Sequence, residues 1–112
     1  MTSELERFES PGDHTATFTT DELTALCPFD FGGPDYYTLT LRYVSDGYVV
    51  ESKSLKQYLE SFRNVEISAE ALARAIYDDV TECIAPEACH VELEQARRGG
   101  VEETVEVGDE TL

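Results

Sequence analysis

The chain has 112 residues, with 24 Asp and Glu against 8 Lys and Arg and a formal net charge of −16. This surplus of negative charge argues against general binding to nucleic acid or anionic membranes, because phosphate contacts need cations. The hydrophobic content of 41% is ordinary for one small globular domain, and no apolar run reaches the roughly 20 residues that span a bilayer.

The N-terminal segment is predicted to precede the folded domain. Residues 1–12 have the composition of a polar tail that ends at a Pro11-Gly12 turn signal, and residues 13–112 are predicted to form a single domain. The tail has neither the basic nor the apolar region of a signal peptide. We therefore expect a cytoplasmic protein with no membrane partner.

Three strands are predicted in the first half of that domain. HTATFTT at positions 14–20 is rich in threonine, and YYTLTLRYV at 36–44 alternates apolar and polar side chains as a half-buried strand does. The Asp-Gly pair that follows predicts a tight turn into YVVE at 48–51. Residues 37–51 are therefore expected to form a β-hairpin.

Two amphipathic helices are predicted next. Each carries apolar residues at the three- and four-residue spacing that buries one face of a helix. These residues are Leu55, Tyr58, Leu59 and Phe62 in the first helix and Leu72, Ile76, Val80 and Ile84 in the second. Ser54 with Gln57 is predicted to cap the start of the first helix and Ser68 that of the second, and Pro86 marks its end.

Two further strands complete the domain, CHVELEQ at 89–95 and VEETVEV at 101–107, with a turn at ARRGG between them. The order β-β-β-α-α-β-β predicts an α+β fold in which two inserted helices cover one face of an antiparallel sheet. The edge strands of such a sheet stay open. A small domain of this kind tends to pair them with copies of itself.

Cys27 is the candidate nucleophile. It lies in LCPFDFGGPDYY, a loop rich in proline and glycine that leads to Asp35, and a thiol beside a carboxylate can act as a nucleophile assisted by a proton donor. The alternative is a small buried apolar residue, which is the usual environment of a free cysteine. Together with Cys83 and Cys89 the cysteines number three, which predicts neither a disulfide framework nor a metal site.

The only two lysines of the chain stand together, at positions 53 and 56 of the segment ESKSLKQYLESFRN. They form either an anion-binding site or a solvated helix face whose long side chains reach water. The acidic residues are spread along the whole chain, which is typical of a halophilic protein whose surface charge is screened by salt. Because lysine is confined to this one segment, we favour the anion-binding interpretation.

Five motifs occur in order, namely LCP…PD, VESKSLK, SFRN, a glutamate six residues after that asparagine, and RRGG. Over roughly residues 25–101 the chain resembles the QueF family, the NADPH-dependent 7-cyano-7-deazaguanine reductases of the tunnel fold. The resemblance implies an enzyme that reduces the nitrile of this base, giving 7-aminomethyl-7-deazaguanine for queuosine or archaeosine modification of tRNA. It also implies self-association into a homo-oligomeric ring.

The resemblance implies roles for particular residues. Cys27 would attack the nitrile carbon and form a covalent thioimide, while Asp35 would supply a proton. The residues implied to hold the substrate are Val50, Glu51, Ser52 and Glu70. The residues implied to meet the phosphates of the NADPH cofactor are Lys53, Lys56 and Arg98.

Two alternatives remain open at the level of sequence. The QueF-like archaeosine synthases resemble the chain in fold and nucleophile, but they add ammonia to the nitrile on tRNA without NADPH, so tRNA would be a partner only in that case. Ala69 stands where the reductases have a histidine, which favours the synthase, whereas the retained ESKSLK motif favours the reductase. The second alternative, a non-enzymatic module that binds purines or a protein, is weakened by the presence of both Cys27 and Asp35.

Overall fold

The computed structural model describes residues 4–29 and 32–112, and within them it contains two helices and two antiparallel sheets. In chain order the elements are β1 (Arg7–Glu9), β2 (Thr15–Leu26), β3 (Pro34–Val44), β4 (Tyr48–Val50), α1 (Ser52–Glu60), α2 (Ala69–Ile84), β5 (Ala88–Arg98) and β6 (Val101–Gly108). One sheet has the strand order β2-β3-β5-β6, and β1 pairs with β4 in the other. The α+β class expected from the sequence is confirmed.

The core lies between one face of the four-stranded sheet and the two helices. Strand β3 shows the alternation expected from its sequence, with Tyr37, Leu39, Leu41 and Tyr43 at most 2% exposed. Successive side chains of a strand point to opposite faces, so these four residues lie on the covered face. Helix α2 packs over β5 and β6 on that face.

The apolar faces of both helices are buried as predicted. Helix α2 begins at the expected cap, where the N–H of Ala71 donates a hydrogen bond to the Ser68 hydroxyl at 3.2 Å. It ends at Ile84, one residue before Ala85 adopts a left-handed conformation with φ 45°. Its four stripe residues, Leu72, Ile76, Val80 and Ile84, are fully buried.

The predicted cap of helix α1 is wrong. The cap lies three residues earlier than expected, at Glu51, whose carboxylate accepts hydrogen bonds from the N–H groups of Lys53 at 2.8 Å and Ser54 at 2.7 Å. Ser54 lies inside the first turn, and its hydroxyl donates to the Glu51 carbonyl at 2.8 Å. Glutamate is a less common cap than serine, so the sequence favoured the wrong residue.

The predicted hairpin over residues 37–51 is also wrong. Strand β3 pairs with β2 on one side and with β5 on the other, which leaves neither of its edges for β4. Strand β4 pairs instead with β1, with Arg7 opposite Val50 and Glu9 opposite Tyr48. The turn after β3 therefore carries the chain out of the main sheet rather than back along it.

The N-terminal segment is not a polar tail throughout, because residues 7–9 form β1. All three side chains of this strand are exposed, so its pairing with β4 rests on backbone hydrogen bonds rather than on burial. The Arg7 guanidinium lies over the Tyr48 ring at 3.9 Å and donates to the carbonyl of Cys83 at 3.3 Å. Neither helix in the described part of the chain has the length and apolar content needed to cross a bilayer.

Candidate active site

A cleft of about 280 Å³ lies at one end of the four-stranded sheet, beside the N-terminus of α2. We call it the thiol cleft. The chemically active side chains that line it are Cys27, Asp35, Glu70, Arg98 and Glu103. The first four of these were singled out in the sequence, and the fold brings them together from four different elements.

Backbone pairing places Cys27 beside α2. Leu26, the last residue of β2, donates its N–H to the carbonyl of Val65 at 2.9 Å and accepts from the N–H of Ile67 at 3.0 Å. These two bonds fix the segment that leads into α2 against the end of β2. Cys27 follows directly, half-buried, and its sulfur accepts a hydrogen bond from the N–H of Phe29 at 3.4 Å. This hydrogen bond holds the sulfur in place within its loop.

Asp35 is buried in β3 and forms an ion pair with Arg98, the last residue of β5. Arg98 also donates to the carbonyl of Gly32, in the loop that separates Cys27 from Asp35. The guanidinium therefore compensates a carboxylate that is only 4% exposed and ties this loop to the sheet. Within one chain Arg98 pairs with Asp35, and neither lysine lines the thiol cleft.

Two carboxyl groups meet at the far wall of the thiol cleft. Glu70, in the first turn of α2, is hydrogen-bonded to Glu103 of β6. This contact lowers the pKa of Glu70 below its usual value and, together with burial, raises the pKa of Glu103. Sequence reasoning missed Glu103, although the alternation of β6 places it on the same face as Val105 and Val107, which pack on the core.

The remaining implied substrate residues do not line the thiol cleft. Val50 is buried in β4, where its N–H donates to the Tyr43 hydroxyl at 3.2 Å. The carboxylate of Glu51 caps α1, and the backbone donors that it accepts lower its pKa. Ser52 is the exposed first residue of α1. A single chain therefore holds Cys27 and these three residues apart.

A second cleft, of about 430 Å³, lies between β2 and α1. We call it the lysine cleft, because Lys56 and Arg63 line it together with Ser52. It shares no lining residue with the thiol cleft. Lys53 is exposed on the first turn of the same helix, and within the described residues the side chains of Lys53, Lys56 and Arg63 form no ion pair with a carboxylate. These cations suit an anionic ligand.

The other two cysteines have environments that disfavour reaction. Burial raises the pKa of the Cys89 thiol to about 11, and it also raises that of Cys83. Both thiols are free, and the described part of the chain holds no cluster of side chains arranged to bind a metal. Cys27 is therefore the best-placed nucleophile of the three.

Comparison with known proteins gives a consistent result. A family described as QueF-like protein matches residues 34–111. A protein named NADPH-dependent 7-cyano-7-deazaguanine reductase from Chlorobium chlorochromatii is 40% identical over 106 residues, which cover 92% of this chain and 90% of the relative. A protein of the same name from Thermomicrobium roseum is 40% identical over 105 residues, covering 91% and 81% of the two chains.

Among solved structures, the crystal structure of the archaeosine synthase QueF-Like in the apo form is similar to this chain with a TM-score of 0.75. It is 23% identical, and the match covers 89% of this chain and 95% of that chain. At this level of identity the similarity shows the shared fold alone.

Proposed function

This chain belongs to the QueF family, and we propose that it is an NADPH-dependent reductase that converts the nitrile of 7-cyano-7-deazaguanine to an aminomethyl group. Relatives with this name match it along most of their length and most of its own. The observation that carries the proposal is the pairing of the accessible Cys27 thiol with the buried Asp35 carboxylate in one cleft.

The first chemical step uses these two residues. The Cys27 sulfur attacks the nitrile carbon, one π bond of the nitrile breaks, and a carbon–sulfur bond forms. Asp35 takes the thiol proton and passes it to the nitrile nitrogen, which gives a neutral thioimide and regenerates the carboxylate. The ion pair with Arg98 stabilises the Asp35 carboxylate before it accepts the proton and again after it releases the proton.

Glu70 is proposed to recognise the base. A carboxylate accepts two parallel hydrogen bonds, and the guanine-like edge of the substrate presents adjacent N–H donors. The lowered pKa of Glu70 favours the ionised form that this contact requires.

We further propose that Val50, Glu51 and Ser52 reach the substrate from a neighbouring subunit in a ring of tunnel-fold chains. The support is that these residues lie outside the thiol cleft of their own chain, while β2 and β6 form open edges of the four-stranded sheet in the described chain. Open edges favour pairing with another copy. Light scattering in high salt checks this proposal, and a stable, active monomer would contradict it.

The lysine cleft is proposed to hold NADPH. Its cations fit the phosphates of a dinucleotide, because charge-assisted hydrogen bonds to phosphate need donors that are not already paired with carboxylates. Lys53 and Lys56 would bind these phosphates, and Arg98 would join them only across a subunit contact. When bound, NADPH supplies the hydride for reduction of the thioimide.

One assay separates this function from its alternative. Purified protein in high salt is given 7-cyano-7-deazaguanine with either NADPH or ammonium, and the products are identified by mass. The reductase forms 7-aminomethyl-7-deazaguanine only with NADPH. A protein that ignores NADPH and forms an amidine with ammonium would instead be an archaeosine-type enzyme, and the lysines would then serve another anion such as a tRNA phosphate.

A further inference from the structure

Glu103 occupies a defined place at the end of the covered face of the sheet. Tyr37 of β3 lies opposite Gln95 of β5, and Gln95 lies opposite Glu103 of β6. Directly paired residues of an antiparallel sheet share a face, so these three side chains form a row across neighbouring strands. Helix α2 begins above this row, which brings Glu70 into hydrogen-bond contact with Glu103.

Two carboxyl groups in hydrogen-bond contact share one proton, because two negative charges at that distance repel strongly. Glu103 is the member that holds the proton, since its pKa is raised while that of Glu70 is lowered. The titratable and charged groups that line the thiol cleft with the pair are Cys27 after β2, Asp35 of β3 and Arg98 of β5. Glu103 also lines an adjoining cleft, whose titratable groups are Asp21, Tyr36, Tyr37, Glu94 and Glu102. Asp35 adds to the rise in the pKa of Glu103.

A second, independent observation indicates that a polar ligand belongs here. The hydroxyl of Tyr37 is buried and makes no hydrogen bond within the described structure. The charges that act on it are those of Asp35, Glu103, Cys27 and Glu70, the acidic groups of the thiol cleft. A buried hydroxyl without a partner is costly, and Tyr37 lines a cleft of about 290 Å³ that adjoins the thiol cleft at Gln95 and Glu103, so a polar molecule bound there would provide the missing partner.

We propose that Glu103 is a positioning residue that acts through Glu70, donating the shared proton so that Glu70 is held ionised and oriented to accept two N–H groups of a guanine-like base. The proposal rests on the proposed function only for the identity of that base. Its chemistry requires a ligand edge with adjacent N–H donors, and guanine carries such an edge without the nitrile.

Equilibrium binding of guanine to the full-length protein tests the pair without any reaction. Glu103→Ala removes the donor to Glu70 and is expected to weaken binding by about 10-fold or more, as for the loss of a charge-assisted hydrogen bond. Glu103→Gln keeps a donor that cannot ionise, so it is expected to bind like the wild type at pH values below the raised pKa of Glu103. The control is Glu102→Gln, since Glu102 is exposed on the other face of β6 and pairs with Arg97 at 3.3 Å.

The pH dependence gives the decisive signature. Wild-type affinity for guanine falls as the pH rises through the raised pKa of Glu103, because the pair then carries two charges and loses its donor. Glu103→Gln lacks this fall, and Glu102→Gln retains it. In the infrared spectrum, a protonated carboxyl band persists in the wild type above the ordinary glutamate pKa of about 4.3 and is absent from Glu103→Gln.

Unchanged guanine affinity in Glu103→Ala would overturn the inference, as would the same alkaline fall in Glu103→Gln and the wild type. A wild-type protein that binds no guanine at any pH would also overturn it. None of these results bears on nitrile reduction, which the product assay measures separately. Conversely, a protein that binds guanine with the predicted pH dependence but reduces no nitrile would retain the inference and reject the reductase function.

Discussion

At the scale of single residues, the thiol cleft combines one thiol with three carboxyl groups and one cation. Asp35 and Arg98 compensate each other, and Glu70 and Glu103 share a proton. The cleft therefore holds fewer charges than its composition suggests. At Asp35, the ion pair with Arg98 compensates a carboxylate that is only 4% exposed.

Asp35→Asn is predicted to slow formation of the Cys27 adduct by roughly 10²- to 10⁴-fold, because an amide cannot carry the proton from sulfur to nitrogen. The adduct is followed by intact mass as a function of time. Asp78→Asn is the matched control, since Asp78 is an exposed carboxylate that pairs with Arg74 at 3.7 Å far from this chemistry. Equal rates for wild type and Asp35→Asn would remove Asp35 from the proton-transfer role.

The sequence indicated Cys27, Asp35, Glu70 and Arg98, and the fold places all four around one cleft. Glu103 could not be found in the same way. The strand VEETVEV contains several glutamates and has the composition of a strand exposed to solvent, so nothing in the sequence distinguishes this one. Its contact with Glu70 depends on the register of β5 with β6 and on the position of α2 above them. Neither can be read from local spacing.

At the scale of elements, helix α1 carries both lysines of the chain on its exposed side, while its other side is buried. Its buried residues include Leu55, Tyr58 and Leu59, whereas Lys56 faces the lysine cleft. Regular helical spacing separates these two sides, which is why the apolar face could be predicted so well.

Lys56→Ala is predicted to raise the KM for NADPH by roughly 10- to 150-fold, equivalent to the loss of a charge-assisted hydrogen bond worth about 1.5–3 kcal/mol. The Cys27 adduct should still form, because the two clefts share no residue. Arg97→Ala is the control, as an exposed cation already paired with Glu102. A lysine of a merely solvated face would change the KM by less than about fivefold, or about 1 kcal/mol.

The pairing of strands was harder to predict than their existence. The alternation in β3 and β5 identified both strands, but the Asp-Gly turn suggested a local hairpin where the chain instead leaves the sheet. Both neighbours of β3, β2 and β5, come from outside that hairpin, so long-range packing overrode a local turn signal. Strand β1 was missed for a different reason, because its exposed side chains carry no apolar pattern.

At the scale of the whole molecule, one chain keeps the proposed nucleophile Cys27 and the proposed cofactor site in separate clefts. Each chain carries a net charge of −16, so the proposed assembly would bring like charges together, and salt would screen their repulsion. Assembly would bring Val50, Glu51 and Ser52 of one copy towards the thiol cleft of another.

The most direct test of the central claim is the intact mass of the protein after incubation in high salt with 7-cyano-7-deazaguanine and no NADPH. We predict a mass increase equal to one molecule of the base per chain in the wild type and in Cys83→Ala, none in Cys27→Ala, and loss of the increase when NADPH is added. An adduct that persists in Cys27→Ala, or one that NADPH leaves unchanged while ammonium discharges it, would contradict the account.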